Sequence, residues 1–137
     1  SARLENPMAD MSRDEIYEKV QEVLVDALGV DDDEVEPSAA LGADLGAESI
    51  DYLDISFRLE KAFGIKIEQG EMIPESALQN PDYVQDGKIT DPGLAKLKEL
   101  MPYADFTALE EDRSVTRVVD VFTVDALVNF VEMKLQG

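Results

Sequence analysis

Apolar residues recur at helical spacing in three stretches of the chain, with polar residues filling the positions between. Ile16, Val20, Val23, Leu24, Ala27 and Leu28 make one such face. Ser12-Arg13-Asp14-Glu15 ahead of it has the form of a capping box, and Gly29 is a natural stop. A second helix is predicted from Ser49 to Phe63, ended by Gly64. Ile50, Leu53, Phe57 and Leu59 to Phe63 are expected to supply its buried stripe, leaving Asp51, Asp54, Arg58, Glu60 and Lys61 for solvent or partners. A third runs from Thr123, which suits an N-cap, with Asp125 in its first turn and Val124, Leu127, Val128, Val131 and Leu135 as its packing face.

The connections are less regular. Residues 31–46 form a long acidic link containing Pro37, Gly42 and Gly46, and Leu41 and Leu45 are expected to anchor it in the core. Ile65 and Ile67 flank Lys66 in a short extended piece. Between 73 and 117 one further helix is predicted, opened by Asp91 as N-cap with Pro92 in its first turn and closed at Pro102; Leu94, Leu97, Leu100 and Met101 are its apolar positions. The β-branched run from Val115 to Phe122 suits either a buried strand or a tightly packed turn.

Composition narrows the function. The chain of 137 residues is 45% apolar, enough for one domain with a hydrophobic core. No apolar run approaches the roughly 20 residues of a membrane-spanning helix, and no secretory leader is visible. Ser1 to Pro7 read as an expression remnant ahead of a natural start at Met8 or Met11, and residues 1–11 are expected to be disordered. A net charge of −19 disfavours nucleic acid and favours basic patches on other proteins; taken alone, it is equally the mark of a well-solvated small protein.

Two absences exclude more than any presence. With no cysteine there is no disulfide, thiolate nucleophile or Cys-ligated metal, and with no histidine the Ser-His-acid arrangement cannot be built. Nothing in the spacing of lysines or carboxylates pairs a base with Ser49, so an enzyme is not expected. Asp82, Asp86, Gly87 and Ile89 have partial EF-hand spacing, but Val84 and Gly93 stand where oxygen donors are needed, and no metal site is expected. An acidic calcium-binding or protein-interaction module without a prosthetic group remains the alternative class.

The most informative stretch runs from Asp44 to Asp54. It places Ser49 at the mouth of a helix after a Gly46-Ala47 approach, where free N–H groups and the positive dipole end favour a phosphate. Local physics alone favours a plain N-cap serine. The wider pattern resembles the acyl carrier protein family. The likeness runs in order through the Ser12–Leu28 helix, Leu41, Asp44-Leu45-Gly46, Ser49-Ile50-Asp51, Leu59-Glu60-Lys61-Ala62-Phe63-Gly64-Ile65-Lys66-Ile67 and Val121 to Leu127. Where the family has Asp-Ser-Leu, this chain has Glu48-Ser49-Ile50, which keeps charge and apolar character.

The resemblance implies an all-α, acyl-carrier-type four-helix bundle over residues 12–137, with an inserted, partly helical segment at about 73–117. It implies a 4'-phosphopantetheine arm, moved from coenzyme A to Ser49 by a phosphopantetheinyl transferase and holding acyl chains as thioesters. A chain without cysteine would thus borrow its sulfur from a cofactor. Glu48, Asp51, Asp54 and Glu60 would form an acidic face for acyl-transferring or acyl-elongating enzymes with basic patches. Ile50, Leu53, Phe57, Ile67, Leu127 and Val131 would be core, and some would line an acyl-chain cleft. The expected setting is a cytoplasmic bacterial monomer without stable membrane insertion, serving fatty acid or specialised lipid synthesis. Peptidyl or aminoacyl cargo is the variant within carriers. The long segment marks a specialised carrier, and widening the cleft, restricting partners and decorating the surface all stay open as its role.

Overall fold

A computed structural model of the chain describes residues 10–68 and 70–136. Most of the expected disordered N-terminal segment therefore lies outside the described residues, but Met11 within it already packs against the core.

Three long helices form the body: α1 (Arg13–Leu28), α2 (Ser49–Phe63) and, after a long excursion, the last helix (Val124–Gln136). In α1 the Ser12 hydroxyl accepts from the Glu15 amide while the Glu15 carboxylate accepts from the Ser12 amide, closing the capping box. Its Ile16, Val20, Val23 and Leu24 are buried, and Gly29 ends it. α1 packs against both α2 and the last helix. Arg13 also bridges α1 to the last helix through Asp125, Glu132 and Asn129.

The buried stripe of α2 is not the one expected. Ile55, Leu59 and Phe63 are fully buried and Tyr52 packs beside them, whereas Ile50, Leu53 and Phe57 are 75%, 59% and 56% exposed. Both sets repeat at helical spacing, so α2 carries two apolar stripes. Only the one facing α1 and the last helix is covered.

The link from 31 to 46 is anchored as expected, with Leu41 and Leu45 buried. It is also stitched to the start of the last helix. Leu41 N–H donates to the Phe122 carbonyl, and Val124 N–H to the Ala39 carbonyl, at 3.0 and 2.9 Å.

Residues 73–117 form a short α3 (Glu75–Leu78), a hairpin of β1 (Val84–Gln85) and β2 (Lys88–Ile89), α4 (Asp91–Leu100) and α5 (Thr107–Glu111). The hairpin was not expected. Asp86 and Gly87 both take positive φ, 54° and 75°, the signature of a type I′ turn, for which Asp-Gly is a preferred pair. Asp82, Asp86, Gly87 and Ile89, read from sequence as partial EF-hand spacing, are thus parts of a hairpin and its approach.

The expected helix is present as α4, with its cap one residue earlier. The Thr90 hydroxyl accepts from the Gly93 amide at 3.1 Å, and Asp91 is already helical. Leu94, Leu97 and Met101 are buried, while Leu100 is exposed. Gly93 lies so close to the hairpin that a Cβ there would stand 2.3 Å from the Tyr83 carbonyl oxygen.

Residues 115–121 resolve the strand-or-turn ambiguity as a 3₁₀-helix, whose eclipsed i, i+3 geometry lets both Val118 and Val121 point inward. The last helix, now α6, is capped by Thr123, which accepts from the Ala126 amide at 3.1 Å.

The inserted segment is part of the core, not a surface ornament. Ile89, Leu97, Met101, Tyr103, Phe106 and Leu109 belong to the same buried cluster as the helices. Tyr103 is the main tie: its ring meets Phe122 and Phe130 edge-on at 5.8 and 5.0 Å, and its carbonyl accepts from the Asn129 side-chain Nδ2 at 3.1 Å.

Candidate functional site

Ser49 is the first residue of α2 and is exposed at the surface. The N-cap position belongs to Glu48, and the helix mouth is organised without the serine. Asp51 reaches back so that its carboxylate accepts from the Glu48 amide at 2.8 Å, while the Asp51 amide donates to the Glu48 carbonyl. The Ser49 hydroxyl has no hydrogen-bond partner among the described residues. It is therefore not a capping group, and local propensity alone would have misassigned it.

The approach loop is tied down by its own hydrogen bonds and one buried side chain. The Ala40 amide donates to the Asp44 carboxylate at 2.8 Å, the Ala47 amide donates to the Leu41 carbonyl at 2.9 Å, and Leu45 is buried below. At the helix mouth the amides of Ser49 and Ile50 have no carbonyl a turn earlier to meet, so they face outward with the positive dipole end. A phosphodiester on the hydroxyl fits this surface: the oxygen is accessible, uncommitted and set in a field that favours negative charge.

The four acidic candidates are all on or beside α2, but they are not equivalent. Glu48 and Asp51 sit at its mouth, and Asp51 is occupied in holding it. Asp54 pairs with Arg58 at 3.0 Å. Glu60 accepts from the Ile67 amide at 2.8 Å, so it also secures the chain leaving the helix.

The six apolar candidates are not brought together. Ile50, Leu53 and Phe57 form an outward stripe one turn after another, starting beside Ser49. Leu127 and Val131 are fully buried in α6, and Ile67 is half-buried at the edge. The grouping as one core set fails because α2 turns its other stripe inward. The outward stripe ends up flanked by Asp54 and Glu60.

Sequence reasoning missed Tyr52 as a residue of the inward face of α2. It stands one turn after Ser49 on the inward side of α2, its ring edge-on to Phe122 at 6.2 Å. Its spacing to Ile55 and Leu59 was the available signal, masked by the equally regular Ile50–Leu53–Phe57 series. No helix among the described residues is long and apolar enough to cross a membrane.

Comparison with known proteins identifies the family of this part of the chain. Residues 18–76, which include α2 and its approach loop, match the family described as phosphopantetheine attachment site. This defines the class: a domain that takes a phosphopantetheine group. An acyl carrier protein of Petrotoga mobilis is 40% identical over 70 residues, covering 51% of this chain and 82% of the relative. One of Rubrobacter xylanophilus is 46% identical over 61 residues, covering 44% and 75%. One of Thermotoga maritima is 39% identical over 61 residues, again covering 44% and 75%. No solved structure matches the chain significantly. The chain belongs to the acyl carrier protein family, and is a carrier rather than an enzyme. The group it takes supplies a terminal thiol on which acyl chains are held as thioesters. The family match ends at residue 76, so nearly all of the inserted segment lies beyond it.

Proposed function

We propose that Ser49 is the residue that receives the phosphopantetheine group, within a single carrier domain spanning residues 12–137. The observation that carries this is the uncommitted, exposed Ser49 hydroxyl at a helix mouth capped by its neighbours instead. In the loading step the Ser49 Oγ attacks the phosphorus of the pantetheine phosphate of coenzyme A. A new P–O bond forms, the P–O bond to adenosine 3',5'-bisphosphate breaks, and the serine proton passes to a base on the transferase.

The outward stripe of Ile50, Leu53 and Phe57 is the docking surface for the transferase and for acyl-handling enzymes. Glu48, Asp54 and Glu60 beside it favour partners with basic patches. Apolar anchors with a charged rim are the usual anatomy of such contacts. The −19 charge supports a monomer, since like-charged copies repel one another. Fatty acid or specialised lipid synthesis in the cytoplasm, where coenzyme A is the donor, is the setting this reading favours.

Peptide mapping after transferase treatment tests the assignment. The added mass is expected on the peptide containing Ser49; a gain on any other peptide would refute it.

A further inference from the structure

Tyr52 carries the one side-chain polar atom that is buried without a hydrogen-bond partner among the described residues. A buried hydroxyl left unpaired opposes folding, and phenylalanine would pack the same ring without that penalty. The position of this hydroxyl is informative. Tyr52 is three residues after Ser49, so the two lie on neighbouring turns of one helix. Its ring packs on Phe122, whose carbonyl accepts from Leu41 in the loop that presents Ser49. The orphan hydroxyl thus belongs to a side chain packed between α2 and the Phe122 segment, and that segment is itself hydrogen-bonded to the attachment loop. Burial, with a smaller contribution from the Asp51 carboxylate, raises its pKa above that of an ordinary tyrosine, so it stays protonated and able to donate.

We propose that the Tyr52 hydroxyl is a specificity-determining contact for the tethered group. It donates a hydrogen bond to an oxygen that folds back between α2 and the Phe122 segment. The inference rests on Ser49 being the attachment point. The shared chemistry is a hydrogen-bond acceptor within reach of the serine. An amide carbonyl of the arm or an oxygen near the thioester end of the acyl chain would each supply it.

The test uses the full chain and Tyr52→Phe in four forms: unmodified, carrying the arm alone, and loaded from octanoyl- or 3-hydroxyoctanoyl-coenzyme A by a phosphopantetheinyl transferase. Intact mass verifies each form, and urea unfolding gives its equilibrium constant. Unmodified Tyr52→Phe is expected to be more stable than the native chain. In the form that supplies the acceptor, the native chain should gain about fivefold over the variant, the scale of one hydrogen bond. A gain with the arm alone assigns the acceptor to the arm; a gain only in the loaded forms assigns it to the cargo, to the thioester carbonyl where both show it and to the 3-hydroxyl where only the hydroxylated chain does. Equal behaviour in all forms, or an unmodified variant less stable than the native chain, overturns the proposal. Failure to gain mass refutes the attachment assignment instead, and this contact falls with it.

Discussion

The Tyr103 hydroxyl donates to the Met72 carbonyl at 2.6 Å, fastening the middle of the inserted segment to the chain that leads into it. The same side chain packs its ring on Phe122 and Phe130, so one residue joins the insertion, the 3₁₀ segment and α6. Burial holds its phenol far above the usual tyrosine range, and it remains a donor at any ordinary pH. Tyr103→Phe is expected to cost about 1–2 kcal/mol, because a buried carbonyl loses its donor. Tyr103→Ala should cost about 3–5 kcal/mol through the cavity it leaves. Urea unfolding of the two variants separates the hydroxyl from the ring.

Gly93 tests whether the hairpin and α4 are packed as described. Any Cβ there collides with the Tyr83 backbone at 2.3 Å, and backbone cannot step aside cheaply. Gly93→Ala should destabilise by about 1–3 kcal/mol, despite alanine's better helix propensity. Modification of Ser49 should continue, since the site lies on a different element. A stabilised variant in thermal unfolding would contradict the close approach.

Glu71 and Lys134 give a pH dependence with a definite sign. Burial would raise the Glu71 carboxyl, but the Lys134 ammonium at 2.8 Å and the Glu68 amide at 2.9 Å outweigh it and hold it below its ordinary range. A carboxyl lowered in the folded state stabilises fully above its unfolded pKa, and that contribution fades as pH falls through the folded one. Lys134→Met should therefore be less stable than the native chain at neutral pH, by on the order of 1 kcal/mol. The gap should close as the solution is acidified below the usual carboxylate range. Paired unfolding curves across pH cancel the relief of general acidic repulsion, which both chains share.

The outward stripe on α2 should matter to partners and hardly at all to folding. Leu53→Ala and Phe57→Ala are expected to change stability by no more than about 0.5 kcal/mol, as exposed positions do. Phe57→Ala should raise the transferase KM about tenfold if it anchors the contact. Asp54→Lys should raise KM and flatten its dependence on salt. Unchanged kinetics in all three would remove the stripe from the docking surface.

Much of the body was legible in the sequence because its signals are local. Ser12 with Glu15, Gly29, Gly64 and Thr123 mark helix ends through contacts three or four residues long, and the structure keeps each of them. The inward face of α2 was not legible. Ile50–Leu53–Phe57 and Tyr52–Ile55–Leu59 are equally periodic, and only α1 and α6 decide which is covered. The same limit hid the helix mouth. Serine is the better cap by propensity, yet the chain places Glu48 there and leaves Ser49 uncommitted. In the insertion, Asp86-Gly87 was a turn signal between strands of two residues each, too short to show alternation. Their pairing depends on the distant segment at 113–115, where Ile89 donates to the Arg113 carbonyl. Tyr103 gave no sequence sign of its role, since its partners lie in elements before and after it.

The proposal places the group on one serine, Ser49. Intact mass after incubation with coenzyme A and a broad-specificity phosphopantetheinyl transferase tests it most directly, with folded Ser49→Ala alongside. A gain of one phosphopantetheinyl unit is expected in the native chain and none in the variant. The same gain in Ser49→Ala, or none in a folded native chain, would contradict it.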